Sequence, residues 1–170
     1  MPIQGSSENA QTEPVAKLLV AAHAAIAEVR YCWVVTPGKN GAAHARVVKA
    51  FPNEAGETWW TRWFLTRRAA RKTAEIRDAG CVTLAFQHDS GEAYVSLAGP
   101  AELIDTRMAI ERRLQQVDDR AAMLAEQLIA VRVDADYIEI HIRGVTAEPW
   151  GHGRTALKRS REGVWCLLPS

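Results

Sequence analysis

Cysteine is scarce in this chain of 170 residues: there are three, Cys32, Cys81 and Cys166, with no CxxC pair. An odd, widely spaced set excludes a disulfide framework and a thiolate zinc site, and reads as reduced, mostly buried thiols of a cytoplasmic protein. Net charge is nearly absent too, with 21 Lys and Arg against 20 Asp and Glu. That balance argues against a basic nucleic-acid coat, and no nucleic-acid partner is expected. No apolar run approaches the roughly 20 residues of a membrane span, so no membrane partner is expected either. The five histidines, His23, His44, His88, His141 and His152, lack zinc-like spacing, and no metal is expected. Neither G-x-S-x-G nor a Cys–His arrangement is present, so nucleophilic hydrolysis has no support.

What is present is a strand-rich pattern. Residues 1–11 are polar and predict a disordered lead-in, leaving 12–170 as a single domain. Thr12 offers an N-cap, and Leu18, Leu19, Ala22, Ile26 and Val29 recur at helical spacing. Strands are expected at 31–36, 45–51, 58–66, 81–87, 93–104 and 131–145, with a hairpin ending at 164–168. Helices are expected at 68–78, where Ala79-Gly80 is the stop, at 105–117 behind an Asp105 cap, and at 119–128. Short turns between strands, with few helices, exclude a doubly wound sheet. They predict a mainly β fold, a six- or seven-stranded antiparallel barrel with peripheral helices. Of the twelve aromatic residues six are Trp, and Trp59, Trp60 and Trp63 read mainly as core or interface.

The segment Phe64-Leu65-Thr66-Arg67-Arg68-Ala69-Ala70-Arg71-Lys72 carries the most chemistry. A strand ends at Thr66, and Arg71 and Lys72 fall in the first turn of the next helix. Free N–H groups and the positive end of the dipole make that place attractive to an anion. From Arg62 to Arg77 there are six basic residues and one acid, Glu75, which makes a local basic patch in a neutral chain.

In its surroundings this segment resembles the FMN-binding split barrels of the pyridoxamine 5'-phosphate oxidase-like superfamily, closest to their general-stress-protein branch. Leu65-Thr66 and Ala70-Arg71-Lys72 stand at the positions of that family's phosphate corner, and His44-Ala45-Arg46-Val47-Val48 at those of its upstream Arg element. The resemblance implies an FMN-binding split barrel, with Arg46, Thr66, Arg71 and Lys72 on the phosphate. Lys49 lies near a family Lys but off its spacing, and His44 draws interest by standing beside Arg46. The strand around Tyr94 and Gly99, and the terminal Pro149-Trp150-Gly151, also match. Leu65, Tyr94 and Trp150 are thereby expected to frame the flavin ring, with Trp63 and Phe64 as further wall residues, and Lys158 is the match to a late family Arg. A homodimer with flavin sites at the subunit interface is implied, as is an FMN-dependent oxidoreductase acting on a small-molecule substrate or electron donor. A stress-associated flavin binder with little turnover, and a split barrel holding heme or a deazaflavin, are the alternatives. No residue reads as a catalytic acid or base. The family's substrate-binding Arg-x-His is Arg154-Thr155-Ala156 here, so oxidation of pyridoxamine 5'-phosphate itself is not expected.

Overall fold

The structure, a computed structural model, describes residues 6–115, 125–146 and 155–169, with side chains from Pro14 onward apart from Asn40. The order is α1 (Ser6–Ala27), β1 (Tyr31–Pro37), β2 (Ala43–Lys49), β3 (Thr61–Arg67), α2 (Arg71–Ala79), β4 (Cys81–His88), β5 (Ala93–Ile104), α3 (Arg107–Leu114), β6 (Leu128–Asp134), β7 (Tyr137–Ile142), β8 (Thr155–Arg159) and β9 (Trp165–Leu167). The fold is mainly β and antiparallel, as expected, with nine strands among the described residues. The count exceeds the expected six or seven because Ala135-Asp136 breaks the stretch 131–145 into two strands and the C-terminal hairpin supplies two short ones.

Two compact units interleave along the chain: Arg30–Leu84 with Ala98–Ala135, and Met1–Val29 with Ala85–Leu97 and Asp136–Ser170. In the first, strands follow the order β3-β6-β5-β4-β1-β2, and a bridge between Phe51 and Trp63 joins the end of β2 back to β3. That bridge donates in both directions, Phe51 N–H to Trp63 O at 2.7 Å and Trp63 N–H to Phe51 O at 3.2 Å, which ties the segment after β2 to β3 and links the two ends of this strand order at one point. β3 is buried on both faces from Thr61 to Phe64. Phe64 and Thr66 occupy one face. On the other, Trp63 and Leu65 pack with Phe51, Ile110, Leu114 and Ala130. In the second unit, Val15, Leu18, Ala22 and Ile26 form the buried stripe of α1, which packs on β7 and β9.

Several local expectations shift. α1 starts at Ser6 and carries Pro14 inside it, whereas Thr12 was expected as the cap and residues 1–11 as disordered. Pro14 has no N–H to donate within α1, a local cost in a helix that continues on both sides of it, and Glu8, Ala10 and Gln11 are compatible with helix. Thr106, not Asp105, caps α3, because its Oγ1 accepts the Ala109 N–H at 3.3 Å while the Asp105 carboxylate is taken by Arg68. The helix expected at 119–128 falls largely outside the described residues, and Leu128 opens β6. Trp59 and Trp60 precede β3 and meet edge to face at 5.6 Å. Cys32 is buried, and burial pushes its thiol up to about 12, whereas Cys81 and Cys166 are exposed and not buried as expected.

Candidate functional site

The corner between β3 and α2 is built by a strand that stops and a helix that starts without a cap. Ala70, the N-cap residue, has no side-chain acceptor, and no acid stands in the first turn. The Thr73 hydroxyl donates to the Arg67 carbonyl at 2.8 Å and the Thr73 N–H to the Ala70 carbonyl at 3.0 Å, which tightens the turn. The N–H groups of Arg71 and Lys72 lie ahead of the intrahelical ladder. At the other end Gly80 adopts φ 67° and donates its N–H to Ile76 O at 2.8 Å, the left-handed stop expected from Ala79-Gly80.

Beside the corner, β1, β2 and α2 assemble a polar cluster. The two-residue period of β2 puts His44 and Arg46 on one face, and antiparallel register sets Thr36 opposite His44. Glu75, one turn along α2 from Arg71, reaches this face and accepts from everything there. The Thr36 hydroxyl donates to its Oε2 at 2.5 Å and Arg46 Nη2 donates at 3.0 Å. His44 Nδ1 lies 2.7 Å from its Oε1, and Arg71 Nε lies 3.3 Å from the same oxygen. Arg46 Nη1 also donates to the Thr36 hydroxyl at 2.9 Å. The hydrogen bond from Thr36, then those from Arg46 and His44, hold the Glu75 carboxyl down at about 2, against the opposing effect of burial. Glu75 therefore stays ionised at any ordinary pH.

Two cations, Arg46 and Arg71, meet this single carboxylate, and Lys72 stands beside Arg46. Lys72 is half-buried and makes no hydrogen bond or ion pair among the described residues. Burial, and then the neighbouring Arg46 charge, lower its pKa. Leaving His44 aside, the corner retains two positive charges beyond what Glu75 neutralises. Thr66 is buried, with an Oγ1 that has no hydrogen-bond partner among the described residues. A surplus cation, an orphaned hydroxyl and an uncapped helix start are a donor set for a phosphate dianion.

The other expected site residues are placed as follows. Leu65 faces the opposite side of β3 from Thr66, in the Trp63 cluster. Trp63 is buried, its indole N–H donates to Glu57 at 2.9 Å, and the Arg113 guanidinium covers its ring at 3.5 Å. Phe64 is fully buried. Lys49 alternates to the face opposite Arg46, with Nζ 5.0 Å from the Phe51 ring centre. Tyr94 on β5 and Lys158 on β8 belong to the second unit, where Lys158 Nζ pairs with Asp136 at 2.8 Å. Trp150 and Arg154 lie outside the described residues. The basic run from Arg62 to Arg77 does not form one patch: Arg62 is buried and Arg68 is tied to Asp105. Thr36 and Glu75 were missed as site residues. Glu75 left one trace in the sequence, as the only acid in that run, four residues after Arg71.

A family profile described as pyridoxamine 5'-phosphate oxidase matches residues 19–148, most of the chain. The chain belongs to the pyridoxamine 5'-phosphate oxidase family. A search among curated proteins returns no match. Solved structures share the fold at low identity. A pyridoxamine 5'-phosphate oxidase-related, FMN binding protein from Nostoc punctiforme is 14% identical with a TM-score of 0.65, covering 100% of both chains. A Clostridium acetobutylicum protein related to general stress protein 26 is 15% identical with a TM-score of 0.64, over 84% of this chain and 94% of its own. PhzG from Burkholderia lata, solved in complex with tetrahydrophenazine-1-carboxylic acid, is 15% identical with a TM-score of 0.65, over 99% and 98%. Among the described residues no group of three or more His, Cys, Asp or Glu is placed to hold a metal, and no helix is long and apolar enough to cross a membrane.

Proposed function

We propose that this member of the family binds FMN and is a flavin-dependent oxidoreductase with an unidentified small substrate. The observation that carries the reading is Lys72, a half-buried cation beside Arg46 at the uncapped start of α2, with no hydrogen bond or ion pair among the described residues. A buried positive charge is costly unless an anion meets it, and a second cation nearby raises that cost. A phosphate monoester dianion matches the surplus of two charges and supplies the missing partner. Arg46 and Arg71 would grip its oxygens while still held by Glu75, so their guanidinium groups are aimed before the ligand arrives. Thr66 and the Arg71 and Lys72 N–H groups complete the phosphate shell.

Bound FMN would supply the hydride or electron transfer, and the protein would position it and exclude water. Leu65, Tyr94, Trp150 and Lys158 remain candidates for the ring or its edge by resemblance to the family. A homodimer with the flavin at the subunit interface, and a cytoplasmic location, are part of the same reading. Turnover of pyridoxamine 5'-phosphate is not part of it. Ala156, in the place of the family His, can neither donate a hydrogen bond nor carry charge, and it is fully buried in β8.

The experiment is an absorption spectrum of purified protein with FMN titrated in, followed by anaerobic addition of NADH or NADPH and reoxidation in air. Flavin bands and a reduction–reoxidation cycle are expected. Protein that neither carries nor takes up flavin refutes the cofactor. Bound flavin that no donor reduces refutes the oxidoreductase alone. A monomer at micromolar concentration with flavin still bound removes the dimer. Peroxide release from pyridoxamine 5'-phosphate at about 1 per second would show the substrate pocket misread.

A further inference from the structure

The outer face of β1 and β2 is apolar and exposed. Alternation turns Cys32, Val34 and Thr36 inward and leaves Tyr31, Trp33 and Val35 outside. Antiparallel register sets Val47 opposite Trp33 and Ala45 opposite Val35. Tyr31, Trp33 and Val47 are 52%, 47% and 53% exposed, and Tyr31 and Trp33 are the two exposed aromatic residues among those described. In a chain that is 24% charged, the four pairs from Tyr31–Lys49 to Pro37–Ala43 carry one charge, that of Lys49. The basic groups collect at that end, where the Arg30 guanidinium lies 5.4 Å from the Tyr31 ring centre. A neutral centre of Trp and Val with a charged border is the anatomy of a protein interface, in which aromatic residues are enriched and charges are kept to the rim.

The lack of charge selects the partner. A nucleic acid or a charged protein surface finds no counter-charge at the centre of this face. A second copy of the chain brings the same neutral face and adds no like-charge clash there. We propose that two copies pair through the outer face of β1 and β2, with Trp33 and Val47 at the centre of the contact, and that this pairing braces β2 for the flavin phosphate. Arg46 and Val47 are neighbours on one strand, so the phosphate corner and the pairing face are its two sides. β2 is hydrogen-bonded to β1, and the chain meets β3 only beyond the end of β2, at Phe51, which leaves the edge of β2 open between those two sides. Pairing stands by itself, and its coupling to FMN rests on the flavin reading of the corner.

The test is sedimentation of the full-length protein, without and with FMN, on the wild type and on Val47→Glu, Trp33→Glu, Val20→Glu and Met108→Glu. All four positions are exposed, so a carboxylate at any of them stays hydrated in a folded monomer. The wild type is expected to be a dimer at micromolar concentration without flavin. Val47→Glu and Trp33→Glu should weaken that dimer by about a hundredfold or more, because pairing would bury the new charge. Val20→Glu on α1 and Met108→Glu on α3 should leave it unchanged. FMN should tighten the wild-type dimer, and the Val47→Glu monomer should bind FMN several-fold more weakly. A flavin-free wild-type monomer overturns the proposal; if that monomer sediments with phosphatidylcholine vesicles and Trp33→Glu does not, the face belongs to a lipid surface. Retention of the dimer by Val47→Glu and Trp33→Glu, or its equal loss in all four variants, overturns the pairing face. A folded Val47→Glu monomer that binds FMN as tightly as the wild type overturns the bracing of β2. A wild-type dimer that takes up no flavin overturns the corner reading and leaves the pairing standing.

Discussion

Two clusters in the barrel unit use the same residue types to opposite ends. At the β3–α2 corner, Arg46 and Arg71 share Glu75, and Lys72 pairs with no anion among the described residues. At the other cluster each cation has a carboxylate. Arg112 and Arg113 both pair with Glu54, at 2.7 and 2.6 Å, and Arg132 pairs with Glu57 at 2.7 Å. Arg113 also donates to the Ala109 carbonyl at 2.6 Å and lies on Trp63, with its side chain only 3% exposed. The helices follow the same division, since α3 is capped by Thr106 and α2 has no side-chain cap. The satisfied cluster ties a helix and a loop to the barrel, and the unsatisfied one is where the proposed phosphate would bind. Arginine content by itself does not distinguish them.

Replacing Arg71 and Lys72 together by Ala breaks the binding side of the comparison. At about 1.5–3 kcal/mol for each charged hydrogen bond, FMN affinity should fall by about a hundredfold or more, measured by titration. Thermal stability without flavin should hold or rise, because like charges leave a helix start. Arg113→Ala tests the structural side. Loss of a buried charged hydrogen bond and of the Trp63 stack should cost about 3 kcal/mol in urea unfolding, with FMN affinity of the folded protein unchanged. Arg113→Ala weakening flavin as much as the double variant would erase the distinction.

The caps sharpen it. Thr106→Ala should cost about 1 kcal/mol of stability. Ala70→Asp should add about 0.5–1 kcal/mol by capping α2, while weakening FMN because the new carboxylate competes for the same N–H groups. The smallest effect at neutral pH belongs to acid titration. The folded pKa of Glu75 is about 2 against an ordinary 4.5, so its contribution to stability is complete above 4.5 and is lost as pH falls toward 2. Glu75→Gln should flatten the decline of unfolding free energy across that window. An unchanged slope would show that the cluster does not hold Glu75 as described.

The cationic β3–α2 corner was legible in the sequence because its parts are local: a strand end, a short turn, two cations and the Ala79-Gly80 stop all lie between residues 64 and 80. β5 also runs from Ala93 to Ile104 as its pattern predicts, set by turn residues on one side and a helix cap on the other. The Glu75 cluster was not legible. Its hydrogen bonds join residues 39, 31 and 29 positions apart, and no period or spacing reports such distances. The burial of Arg62, the exposure of Cys81 and Cys166 and the bridge between Phe51 and Trp63 were hidden for the same reason.

By itself the sequence determined the antiparallel class, most strand and helix limits and the position of the cationic corner, since each depends on neighbours along the chain. Tertiary structure alone decided which of six basic residues between Arg62 and Arg77 stay uncompensated. Arg62 went into the core, Arg68 to Asp105 and Arg71 to Glu75, while Lys72 was left beside Arg46. The energy of a charge depends on its distance to other charges and on how much water surrounds it, and both are set only when distant segments pack together.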